Sequence, residues 1–209
     1  MKKLLRQSLR DELERQQDPD HRGGSAGGMP SLYKTAWGLY LVLAIVGVVW
    51  LGSQHGALPL EVFLVPSELG EDVVWGLGAG AALLAIWWLA SKMVPGLRRL
   101  EDEFSTMLAG LDPSEALALA LISGFAEELF FRGAMQQSWG FWPTVILFGL
   151  LHTGPSRIFL WWTVFATGAG AFFGWIVLER GTLLPAVIAH VLVNGVNLWR
   201  LARREVDEI

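Results

Sequence analysis

The stretch Ala116-Leu117-Ala118-Leu119-Ala120-Leu121-Ile122-Ser123-Gly124-Phe125-Ala126-Glu127-Glu128-Leu129-Phe130-Phe131-Arg132-Gly133 sets two acids and a base inside an otherwise apolar run. Its length and composition are those of a membrane-spanning helix, yet a charge at the centre of such a helix costs about 2.5–3.5 kcal/mol on insertion scales. Charges kept at that cost face a bundle interior or a polar cavity, where they do chemistry or carry ions. Glu128 and Arg132 are four apart with the acid N-terminal, so they share a helical face and can neutralise each other. Glu127 is rotated from Glu128 by about 100° and lies five residues from Arg132, which leaves it available for chemistry.

The rest of the chain fits a membrane setting. Of 209 residues, 53% are hydrophobic and only 17% charged, below the roughly 25% of soluble domains. Mean hydropathy is +0.42, and the apolar residues gather into blocks of spanning length. Several of the 11 Trp stand at block ends, where indole favours the bilayer interface: Trp37, Trp50, Trp75, Trp87, Trp88, Trp139, Trp142 and Trp199. Small residues at four-residue spacing (Ala166, Gly170, Gly174; Gly76, Gly80) predict close helix packing. The absence of cysteine excludes disulfides, thiolate metal sites and a cysteine nucleophile. A net charge of −4, with no basic stripe carrying aromatics, argues against a nucleic-acid partner.

Organisation follows from the blocks. Residues 1–17 are basic, with Leu5, Leu9 and Leu13 on one helical face, which suits a short helix on an anionic membrane surface or a solvated tail. No removable signal peptide is evident. Residues 18–30, with Pro19, Pro30 and a Gly-rich run, read as a linker, so the division expected is 1–30 and a single membrane domain over 31–209. Six apolar blocks follow at about 36–53, 73–93, 115–137, 139–153, 158–178 and 182–199, the fourth short. Asp112-Pro113-Ser114-Glu115 predicts a capped helix start before the third block. Leu97, Leu100, Phe104, Met107 and Leu108 form an apolar stripe that predicts an amphipathic interfacial helix. The fold class expected is all-α and polytopic, with about six spans. Lys and Arg crowd the N-terminal segment, residues 92–99 and Arg200, Arg203 and Arg204, while the 54–72 loop has none. Both termini are therefore expected in the cytoplasm.

The ionisable residues well inside the blocks are Glu127, Glu128, Arg132, His152 and His190, with the amide Asn194 beside them. His190 and Asn194 share a face at four-residue spacing, as do Phe148 and His152. At about 1.5 Å per residue, Glu127, His152 and His190 lie roughly 12–20 Å deep, at a common level. A glutamate can take a proton from water, and imidazole or amide can stabilise the oxyanion formed at a carbonyl. The same three residues could instead hold a divalent metal such as zinc, with bound water as nucleophile. No His-Glu-x-x-His occurs and no aspartate lies inside a block, which speaks against the zinc-helix and aspartyl designs. Ser123 has no context that makes it a nucleophile.

Glu127-Glu128-Leu129-Phe130-Phe131-Arg132-Gly133, Phe148-Gly149-Leu150-Leu151-His152 and His190-Val191-Leu192-Val193-Asn194 resemble, in order, the three motifs of the CPBP (CAAX prenyl protease and bacteriocin-processing, Abi) family of intramembrane proteases. The resemblance covers roughly residues 112–199. It implies an intramembrane endopeptidase in which Glu127 activates water. His152, His190 and Asn194 would position that water or stabilise the oxyanion, while Glu128, Arg132 and Phe148 support the site. It leaves a metal open, and it implies a peptide or protein substrate at the lipid bilayer. The competing readings are a non-proteolytic scaffold or immunity protein and a small ion or proton transporter. No internal repeat favours the transporter.

Overall fold

The computed structural model describes residues 29–204; the surface helix expected over 1–17 and the expected linker 18–30, save its last two residues, which begin the first helix, lie outside the described residues. Two compact units are distinguished, Met1–Ala36 and Trp37–Ile209, and the second carries the site described below. Eight α-helices follow one another: α1 (Met29–His55), α2 (Leu69–Met93), α3 (Pro95–Leu108), α4 (Pro113–Glu127), the short α5 (Gln136–Trp139), α6 (Phe141–Leu151), α7 (Leu160–Arg180) and α8 (Leu184–Ala202). A π-helical segment, Glu128–Met135, joins α4 to α5 without a break. No strand occurs among the described residues, and the all-helical polytopic class read from the sequence is borne out.

Each of the six apolar blocks is helical. Among the described residues, four segments are long and apolar enough to cross a membrane: Tyr33–His55, Leu60–Met93, Arg157–Arg180 and Leu184–Ala202. The third block is long enough as the run from Pro113 to Trp139, but it carries the charged cluster. The fourth folds as an 11-residue helix, too short to span alone at 1.5 Å per residue. Gly140 separates the two blocks with φ 84° and ψ 176°, a conformation open essentially to glycine alone.

Local chemistry explains the boundaries. Asp112 caps α4 as its sequence predicts: its side chain accepts from the Ser114 amide, Glu115 reaches back to the Asp112 amide, and Pro113 takes the first helical position. The first part of the stripe on α3 turns inward: Leu97 and Leu100 pack with Trp87 and Phe159, while Met107 near the helix end is exposed. The main core lies between α2, α7 and α8, around Ala79, Leu83, Phe173, Ile176, Ala186 and Ala189. Gly76 and Gly80 lie directly against α8, where an added Cβ would come within 2.8 Å of Ile188 or Leu192 atoms. That close approach fixes the helix carrying His190 and Asn194.

Candidate active site

Glu127 and Glu128 stand where α4 gives way to the π segment. A π turn inserts an extra residue into the helical ladder and commonly marks functional positions. Glu128 is fully buried. Its Oε1 accepts from the Arg132 guanidinium at 3.0 Å and lies 2.7 Å from His190 Nδ1. Arg132, 1% exposed, also donates to the Gly170 carbonyl at 2.9 Å and stacks on the Phe148 ring at 4.2 Å. One turn on, Gln136 donates to the Gly174 carbonyl at 3.0 Å. The small residues of α7 therefore do more than pack. Gly170 and Gly174 let two polar side chains reach backbone carbonyls that β-carbons would cover.

Glu127 belongs to a different set of neighbours. Its Oε2 lies 3.6 Å from His152 Nε2 and 3.9 Å from His190 Nε2, and has no hydrogen-bond partner among the described groups. Both imidazoles are held by their other nitrogen. His152 Nδ1 sits 2.7 Å from the Phe148 carbonyl, which can only accept, so Nδ1 carries the hydrogen. His190 Nδ1 faces the Glu128 carboxylate and is likewise the donor. In their neutral forms both rings thus present an Nε2 lone pair towards the unpartnered oxygen of Glu127. Rings fix their planes: Phe148 lies 4.3 Å from His152, and Phe173 stacks on His190 at 5.2 Å.

The structure brings Glu127, His152 and His190 together, with Glu128, Arg132 and Phe148 around them. Asn194 lies one turn beyond His190 and donates to Ser123 Oγ at 2.9 Å, on the turn of α4 that precedes Glu127. Gly124 allows this pairing of α4 with α8, since a Cβ there would fall 2.7 Å from Val191. One Glu and two His are donors of the type that binds zinc, but their arrangement is not that of a metal site. No three His, Asp or Glu side chains among the described residues converge into a metal-holding group. The Glu127–imidazole gaps also exceed the ligand–ligand separations of a tetrahedral zinc site with bonds of about 2.0–2.1 Å.

Sequence reasoning missed four participants. The Tyr40 hydroxyl of α1 interacts with the Glu127 carboxylate. A phenol within an apolar block was the available signal. Trp162 of α7 meets the edge of His152 at 5.1 Å, and the carbonyls of Gly170 and Gly174 receive Arg132 and Gln136. Nothing in the residue types signalled a backbone acceptor.

Fold and site together define a helical membrane protein with a buried carboxylate–imidazole centre. Residues 109–196 match the family described as type II CAAX prenyl endopeptidase Rce1-like, so the resemblance read from the three motifs is borne out over the stretch that carries them. The chain is also 31% identical over 80 residues to a protein of Bacillus subtilis (strain 168) described as "Uncharacterized protein YpbD". That similarity covers 37% of this chain and 41% of YpbD, so the chain spans about two fifths of the relative it matches. No solved structure matches.

Proposed function

We propose that the protein is an intramembrane endopeptidase that hydrolyses a peptide bond near the membrane, with Glu127 as the base. The observation that carries this reading is the convergence of Glu127 Oε2 with the Nε2 atoms of His152 and His190. A water between them would give one proton to the carboxylate and point the other at an imidazole lone pair. Its oxygen attacks the peptide carbonyl carbon as the carboxylate takes the first proton, and the protonated Glu127 returns that proton to the leaving amine. The developing oxyanion needs N–H donors. Asn194 Nδ2 has a second hydrogen beyond the one given to Ser123, and either imidazole donates through Nε2 once it is protonated. The match to a CAAX prenyl endopeptidase family makes a prenylated C-terminal peptide the first substrate class to try. A membrane domain over 31–209 and cytoplasmic termini complete the proposal.

The test is cleavage of a farnesylated, internally quenched CAAX peptide and of unprenylated leader peptides by purified protein in detergent. Glu127→Gln is expected to lower kcat by at least about 10²-fold, and His190→Ala to abolish most of the remainder. Cleavage surviving Glu127→Gln would overturn the base. Inhibition by a chelator, reversed by one metal, would overturn the direct role of the carboxylate. If no peptide is cut and a cellular phenotype outlasts Glu127→Gln, the scaffold reading replaces this one.

A further inference from the structure

His152 is the least anchored member of the site. It caps α6 with φ −95° and ψ 34°, outside the regular helix, and its side chain is the most exposed of the three, at 16%. Something beyond its own helix must hold the ring in register with Glu127. Two adjacent residues of α7 do so. Thr163 Oγ1 donates to the His152 carbonyl at 3.0 Å, and the Trp162 ring meets the imidazole edge-on at 5.1 Å and 77°. Trp162 is in turn fixed by Phe104 of α3, at 5.0 Å and 87°, and both touch Phe159. Phe104 extends an inward face of α3 whose Leu97 and Leu100 are buried beside Phe159.

We propose that the Phe104–Trp162 pair is a mount for His152, with Trp162 a positioning residue that sets the imidazole towards Glu127. The inference rests on the hydrolytic reading above. It extends that reading by assigning a role to α3, which lies outside residues 109–196. The imidazole is gripped between Phe148, on its own helix, and Trp162. Loss of the second ring frees rotation about the bonds that aim Nε2. Phe104 makes no ring contact with His152, so any effect of its removal is transmitted through Trp162. The groups facing the imidazole, Glu127 and beyond it His190, are untouched by such a change.

The experiment uses the full chain in detergent micelles with ¹³C-labelled histidine rings, His152 being assigned by its loss in His152→Gln. Phe104→Leu is expected to displace the His152 ring resonance and its titration midpoint while leaving those of His190 in place. Trp162→Leu should do so more strongly, and Trp162→Phe should restore most of the wild-type spectrum. With the farnesylated CAAX peptide, Phe104→Leu should lower kcat about tenfold with KM nearly unchanged, the signature of a misaimed group and not of lost substrate binding. A His152 resonance and titration unchanged in both Phe104→Leu and Trp162→Leu would overturn the mount. If Phe104→Leu fails to fold, the contrast between Trp162→Phe and Trp162→Leu decides the matter. Cleavage by Glu127→Gln would overturn the proposed base instead, while the resonance test of the mount still reads.

Discussion

Arg132 makes three different contacts with one planar group: an ion pair to Glu128, a hydrogen bond to the Gly170 carbonyl and a stack on Phe148. A lysine ammonium can make the first but not all three, because it lacks the fork and the plane. Removing the charge leaves Glu128 buried with His190 as its only remaining ionisable contact among the described residues. Arg132→Met is therefore expected to destabilise the protein by about 3–5 kcal/mol, and Arg132→Lys by a substantial part of that, as read by thermal unfolding in detergent. Tyr40 works on the other carboxylate. Its hydroxyl interacts with the Glu127 carboxylate. Tyr40→Phe keeps the ring and should lower kcat about tenfold while leaving the unfolding temperature close to wild type.

At the scale of the element, the site is made where α4, the π segment, α6, α7 and α8 pass close together, and glycine sets the closeness. Gly170 is the sharpest case: a Cβ there would fall 2.7 Å from the Phe148 ring and 3.1 Å from an Arg132 nitrogen. Both neighbours are buried and held, so neither can move aside cheaply. Gly170→Ala should cost about 1–3 kcal/mol in thermal unfolding and reduce cleavage more than a distant Gly→Ala control such as Gly78→Ala, where a Cβ meets nothing within 4 Å. The spacing of Gly170 and Gly174 was visible in the sequence, but the use of their carbonyls as acceptors for Arg132 and Gln136 was not. A small-residue stripe reports that helices approach, not what approaches. The grouping of Glu127, His152 and His190 was legible because charges inside apolar blocks are costly and therefore few. The π turn was not, since Leu129, Phe130 and Phe131 suit an α-helix equally well. Tyr40 and Trp162 escaped for a related reason: each is an aromatic in an apolar run, where packing and positioning look alike.

Across the whole molecule, α8 carries His190 and Asn194 and is tied at both ends by ion clusters. Near its start, Asp72, fully buried, accepts from Thr182 at 2.7 Å and from Arg180 at 2.8 Å. At its other end Glu101 of α3, 2% exposed, accepts from Trp87 at 2.8 Å, Arg200 at 2.5 Å and Arg204 at 2.7 Å. Burial alone would raise the Glu101 carboxyl, but hydrogen bonds from Arg200 and Trp87 and the charges of Arg200 and Arg204 outweigh it and hold the group below its ordinary range. A carboxyl depressed by folding adds stability that is complete above its ordinary value and is lost as pH falls through the depressed one. The latch between α3 and α8 should therefore hold at neutral pH and loosen only in acid below the usual carboxylate range. Thermal unfolding followed from pH 7 downward should show this acid limb in the wild type. Glu101→Gln should start less stable at neutral pH and lose part of the limb. A Glu101→Gln profile parallel to wild type across the acid range would show that the latch contributes no pH-dependent stability.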